Sequence, residues 1–445
     1  EEEEEEEECR TQHAGRAWEF VALSGASTSA GVAAAAAEGV DALALDGWVA
    51  HRFEVAEAQH RACRENGGRY WETEMNTMQY LRALQFEGEF SGMHYDGCGA
   101  HDGSCPSNIV DDLKARLELL PELIRCGLCA PQSCEVDDVR NVVFRRYLAM
   151  MLHLDFDLPP PSADEFQAKE LLPWADLQVD FVIAGCGNCG TTSLRKNLLR
   201  HRDVAFTSTV EDQWFWRHDR GLPYRSEVDS FNTAWVEKAQ RLVGPQPTIR
   251  GLADPGLFGD ARIRQVLARI PSLKVVVVVC DPVSRFEKFY WRHHLCRSGR
   301  PESAAERPCW PTLAGGLQAE PEMVARDASG QHLRSLLALL GPRLWLMHQD
   351  SLRFSAKRTY NGLAAFLGVQ PFPTNTEFRR HNSQRGHRTE LCRNASVHAV
   401  LQQSFAEEYR DLEAVLHAAA VDVPVALRLR RTRCDRAEEL GGGAG

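Results

Sequence analysis

Two short segments carry residues whose types and spacing suggest chemistry. The first, Asp180-Phe-Val-Ile-Ala-Gly185-Cys-Gly-Asn-Cys-Gly190-Thr-Thr-Ser-Leu194, runs from an apolar stretch into a glycine-punctuated turn and a helix start. Gly185 and Gly190 enclose four residues, the spacing of a phosphate loop, so successive backbone N–H groups and the positive end of the following helix converge on an anion. A nucleoside triphosphatase carries Lys and then Ser or Thr directly after that second glycine. Here Thr191 and Thr192 stand there, which removes the charge that neutralises β- and γ-phosphates and argues against ordinary ATP or GTP chemistry. The second segment, Lys274 followed by five valines, Cys280, Asp281 and Pro282, is too short to span a membrane and rich in β-branched residues. It reads as a buried parallel strand that Pro282 ends, with Arg285 and Lys288 on the helix that follows.

Together these segments resemble the PAPS-dependent sulfotransferase family, of the carbohydrate or heparan-sulfate type. The loop from Gly185 to Leu194 is similar to that family's Gly-x-Pro-Lys-x-Gly-Thr-Thr loop, with Asn188 in place of its lysine. Asp281-Pro282-x-x-Arg285-x-x-x-x-Tyr290 is similar to its 3′-phosphate element, with Cys280 where many members carry Arg and Lys288 where they carry Ser. The resemblance implies that Gly187, Asn188, Cys189, Gly190, Thr191, Thr192 and Ser193 hold the 5′ end of 3′-phosphoadenosine 5′-phosphosulfate (PAPS), the co-substrate, and that no metal is required. It places Arg285 and Lys288 on the 3′-phosphate, and it gives Asn188 the catalytic lysine's position as a hydrogen-bond donor. Glu211, three and four residues before Trp214 and Phe215, is then the base that takes a proton from an acceptor hydroxyl or amine, its pKa raised by burial beside those rings. Arg385, Gly386 and Arg388 fall where the family has a Lys-Gly-Arg loop closing over the 3′-phosphate. The stretch from Ser351 to Val369 resembles a late family helix that ends in Phe-Leu-Gly-Val, with Gly368 as its C-cap.

The residues alone leave other readings open. Glu211 is equally a surface carboxylate beside a core aromatic stripe. Val275 to Asp281 passes for the metal-binding strand of a P-loop nucleotide kinase, and Cys186-x-x-Cys189 for a redox pair. A sulfotransferase-like binding protein, weakened in catalysis by Asn188 and Cys280, is a further alternative.

Charge is divided along the chain. Residues 1–179 carry 14 Lys and Arg against 34 Asp and Glu, and residues 180–445 carry 37 against 28, within a net charge of −11. A positive second half suits an anionic nucleotide and an anionic acceptor such as a glycan; its charges are not clustered as nucleic-acid binding requires. Glu1 to Glu8 form an acidic run, and the chain does not begin with Met, so it reads as a fragment whose targeting segment or membrane anchor lies outside it. The alanine-rich stretch 30–50 is interrupted by Glu38, Asp41 and Asp46 and is not a membrane helix.

Cysteines crowd the first half, with Cys98, Cys105, Cys126, Cys129 and Cys134 in a short span and Cys63 upstream. Their spacing leaves open a zinc site and a set of disulfides. Tyr95-Asp-Gly-Cys98, Gly103-Ser-Cys105 and Gly127-Leu-Cys129-Ala-Pro-Gln-Ser-Cys134 are similar to the extracellular N-terminal domain of the nose-resistant-to-fluoxetine family. That resemblance implies disulfides and an extracytoplasmic location. Cys296 and Cys309 are a further candidate pair, whereas Cys186 and Cys189 are expected to stay free. Asn394-Ala-Ser396 is a glycosylation sequon, consistent with a Golgi or other secretory-pathway lumen.

Helical periodicity over Ile109–Leu120 and Val136–Leu152 predicts a small helix-rich, disulfide-stapled domain. Farther on, strands at Phe181–Ala184, Lys274–Val279 and Leu344–Met347 alternate with helices from Thr192 and Ser284. The expected fold is α/β, a P-loop-like parallel sheet flanked by helices. Five segments follow: 1–50 an acidic and alanine-rich tail, 51–158 the cysteine-rich helical domain, 159–178 a Pro-rich linker, 179–430 the sulfotransferase-like domain, and 431–445 a flexible tail.

Overall fold

A computed structural model describes residues 42–80, 123–152, 158, 160–207, 214–217, 221–240, 249–293, 318, 329–381 and 395–421. They fall into two units, one taking in Arg52–Asp176 and Arg220–Ser230, the other the described residues up to His51, Leu177–Asp219 and the residues from Phe231 onward.

α1 (Ala42–Glu65) belongs to the first unit from Arg52 onward and leads through Gly67, at φ 75°, into β1 (Gly68–Asn76). β1 is the middle strand of an antiparallel sheet, flanked by β2 (Leu123–Pro131) and β3 (Phe166–Glu170). Trp71, Thr73 and Met75 alternate inward along β1, the period of a half-buried strand. The predicted helix after Val136 is present as Val136–Asp138, a π-helical segment Val139–Phe144, and α2 (Arg145–Met151). Val139, Val143, Phe144 and Leu148 pack from it onto the sheet side chains. The stretch 159–178 is not a plain linker, because it supplies β3. Glu170 at the end of that strand is buried and accepts hydrogen bonds from both Arg69 and Arg225, so its charge is compensated.

Cys63 and Cys129 are joined, their sulfurs lying over Gly68, where a Cβ would sit 2.7 Å from Cys129 Sγ. Cys134 is also disulfide-bonded, whereas Cys126 is free and buried, its sulfur 2.9 Å from Thr73 Oγ1. Cys126 and Cys129 are three apart in a strand and so face opposite sides, which rules out their sharing one metal ion. Cys98, Cys105, Cys296, Cys309, Asn394 and the predicted helix Ile109–Leu120 lie outside the described residues.

The second unit has the predicted α/β architecture: five parallel strands, β4 (Phe181–Gly185), β5 (Val204–Phe206), β6 (Ile249–Ala253), β7 (Lys274–Val279) and β8 (Leu344–His348), in the order β5-β6-β4-β7-β8. Its helices are α3 (Thr191–Leu198), the part of α4 (Arg225–Gln240) from Phe231 onward, α5 (Ala261–Arg269), α6 (Pro282–His293), α7 (Gly330–Leu340), α8 (Gln349–Phe354), α9 (Ala356–Leu367), α10 (Ala395–Ser404) and α11 (Ala406–Ala418). All of β4 and Val275–Val279 of β7 are buried, as strands covered on both faces must be. β4 comes first in this sheet but lies at its centre, with later strands added on either side. The turn after it therefore opens at the switch point, where ligands of such sheets bind.

α5 starts at Asp260, whose side chain accepts the Arg262 amide. α9 ends at Gly368 as predicted, at φ 84°, with the Gly368 and Val369 amides closing onto Ala365 and Ala364. Among the described residues no helix is long and apolar enough to cross a membrane.

Candidate phosphate-binding site

β4 runs straight into the loop Cys186–Gly190 and then α3. Gly185 is required by packing, since a Cβ there would lie 2.2 Å from the Phe258 ring. Gly190 is required by conformation, at φ 106°. Asn188 takes the left-handed region at φ 62°, which Asn tolerates better than most residues. The Cys186 amide continues the ladder to Val278 O, and the Cys189 amide closes the turn onto Cys186 O. The amides of Gly187, Asn188 and Gly190 enter no backbone bond among the described residues, and a Cβ at Gly187 would meet nothing within 4 Å. Thr191 and Thr192 begin α3, so the first helical turn and the open amides share one end of the central strand.

Three of the implied ligand residues have other commitments. Cys189 is not free: it is disulfide-bonded to Cys280 at the end of β7, across a sequence separation of 91. With its amide also in the turn, it braces the loop rather than offering a donor. Cys186 is a buried thiol outside any disulfide, as expected. The Ser193 hydroxyl accepts the His381 amide and donates to the His381 carbonyl. Arg285 is buried, with one guanidinium nitrogen donating to Ser329 Oγ and another 3.9 Å from Glu408 Oε1.

That buried network has its own logic. Glu408 accepts the Ser329 amide, the Ser329 hydroxyl and the Gly330 amide, so a carboxylate of α11 sits at the start of α7. Burial pushes the Glu408 carboxyl up, against the opposing pull of Arg285, Ser329 and Gly330.

Lys288 lies on α6, a half-buried side chain whose Nζ donates to the Asn188 carbonyl at 3.0 Å. The sequence alone put it on a 3′-phosphate; the structure brings it to the loop. At the start of the same helix, Asp281 Oδ1 accepts the Ser284 amide and Oδ2 accepts the Tyr409 hydroxyl. Both carboxylate oxygens are engaged in holding helices, which disfavours Asp281 as the metal ligand of a kinase.

On the other side of α3, Asn197 bonds Tyr360 OH and both backbone groups of Arg379. The chain at 379–381 is thus laid along the helix that carries the loop. Arg385, Gly386 and Arg388 follow it in sequence but lie outside the described residues, as does Glu211. The aromatic stripe after Glu211 is real: Trp214 packs against Phe215 and Phe231, each with centroids 5.3 Å apart, and Phe215 is buried. Sequence reasoning missed Gln349, whose Nε2 would lie 3.3 Å from a Cβ at Gly190. A polar residue just after a strand was the available signal.

No protein-family model matches the chain, and no curated protein matches its sequence. Among solved structures it is similar to a sulfotransferase from Alicyclobacillus acidocaldarius, at 18% identity and a TM-score of 0.39 over 56% of this chain and 98% of that one. It is similar to the mouse sulfotransferase SULT7A1 complexed with PAP, at 16% identity and a TM-score of 0.27 over 44% of this chain and 61% of that one. It is also similar to a sulfotransferase domain from the curacin biosynthetic pathway, at 12% identity and a TM-score of 0.32 over 56% and 99%.

Proposed function

We propose that the second unit is a sulfotransferase that moves a sulfonyl group from PAPS to a hydroxyl or amine, in a carbohydrate acceptor. One observation carries this reading: the open amides of Gly187, Asn188 and Gly190 and the start of α3 meet at the carboxyl end of the central strand, with Thr191 and Thr192 beside them. Such a cradle fits the 5′ end of the nucleotide. When bound, PAPS would supply an activated sulfonyl group on a phosphate leaving group. The chain's own part is to hold that phosphate with loop amides and threonine hydroxyls and to orient the acceptor. Glu211 is the residue we assign to accept the acceptor's proton.

The disulfides Cys63–Cys129 and Cys189–Cys280 support residence in an oxidising compartment of the secretory pathway, where a glycan acceptor is at hand. Calorimetry in EDTA with adenosine 3′,5′-bisphosphate, beside ATP with Mg²⁺, tests the donor. Binding of the first alone supports the reading, and binding of ATP alone would return the chain to the kinases. A screen with labelled donor against glycans, phenols and lipids then tests the acceptor. Donor binding with no sulfation of any class would favour a binding protein weakened at Asn188.

A further inference from the structure

We infer that Lys288 is the cation of the phosphate loop, reaching from α6 to bind the 5′-phosphate end of the nucleotide in place of the lysine missing at 188. This rests on the nucleotide reading above and adds to it a residue and a subsite.

Three departures from the family pattern meet in space. Asn188 stands where the loop cation is absent, Lys288 donates to the Asn188 carbonyl, and Cys280 is bonded to Cys189, the next residue of the loop. A loop without its own charge is therefore fastened twice to the segment that carries Lys288, once covalently and once by the ammonium itself. Arg285, three residues earlier, is turned into the buried contacts with Ser329 and Glu408. Lys288 is only half-buried, and its ammonium has three donors. Its bond to a loop carbonyl holds the charge beside the loop whose amides at Gly187, Asn188 and Gly190 stand open. A point charge so placed serves a phosphate by charge-assisted hydrogen bonding, with no need for the planar fork of an arginine.

The test separates the two ends of the nucleotide. Affinities for adenosine 3′,5′-bisphosphate, adenosine 5′-phosphate and adenosine 3′-phosphate are measured by calorimetry on the full chain. Lys288→Gln is the informative variant, because it keeps a donor for the Asn188 carbonyl while removing the charge, so a purely bracing role survives it. The expected result is a loss of about tenfold or more for the two ligands bearing a 5′-phosphate and an unchanged affinity for the 3′-phosphate. Moving the cation home in Asn188→Lys/Lys288→Gln restores the 5′-phosphate ligands to within about threefold of the parent. Unchanged affinity of Lys288→Gln for every ligand, a loss confined to the 3′-phosphate ligands, or a double variant no better than the single one would overturn the assignment. A parent protein that binds none of the three nucleotides would instead refute the phosphosulfate-loop reading itself.

Discussion

Individual residues of the loop are under separate demands, and each can be tested separately. Gly185→Ala drives a methyl group into the Phe258 ring, an overpacking that costs about 1–3 kcal/mol, and denaturant titration should read it as a lowered midpoint. If Glu211 has the proposed role, Glu211→Gln should lower sulfonyl transfer by about a hundredfold or more while leaving the affinity for adenosine 3′,5′-bisphosphate unchanged, because the proposed base would act on the acceptor and not on the donor. A variant that loses both was a structural residue. His332 gives a pH test independent of the ligand. Burial, and then Arg264 and Arg285, push it down to about 4, and its Nδ1 lies 3.2 Å from an Arg264 nitrogen. A histidine with a depressed folded pKa contributes its full stability above the unfolded value and loses it as pH falls. Stability should therefore decline between pH about 6.5 and about 4, by at most about 1.4 kcal/mol per pH unit, and His332→Asn should flatten that decline in thermal melts. At this scale the loop glycines and threonines were readable, since backbone demands leave marks in sequence. The partners of Ser193, Arg285 and Lys288 were not, because each is met by a residue far along the chain.

Between elements, the central question is what holds the loop of β4 against the start of α6. The bond from Cys189 to Cys280 does so covalently, and Lys288 does so by hydrogen bonding. Cys189→Ser should cost about 2–4 kcal/mol of stability and weaken nucleotide binding, because the loop then loses its tie to β7. Melting curves with and without reductant should differ in the parent protein and coincide in that variant as far as this bond is concerned. Strands β4 and β7 were legible as apolar, β-branched runs, and the helix end at Gly368 was legible from its glycine. β5 and β6 were not. β5 is three residues long, and β6 contains Arg250 and Gly251, the latter glycine because the Phe181 ring covers it. β1 and β2 were hidden in a segment whose charged residues and cysteines obscure the alternation.

For the whole molecule, the disulfides carry the strongest consequence. Peptide mapping without reduction, on protein made in a secretory pathway, should recover Cys63–Cys129 and Cys189–Cys280 with Cys126 and Cys186 in no disulfide. Protein made in a reducing cytosol should lack both bonds. The sequence by itself determined the α/β character of the second unit, the position of the glycine-bounded turn after β4 and the lack of a lysine within it, because hydrophobic runs, glycine spacing and residue charge are local properties. Only the tertiary structure decided which cysteine closes on which, that β3 arises from the presumed linker, and that a lysine one hundred positions from Asn188 reaches the same loop. Those contacts join residues distant in sequence, and packing alone selects them.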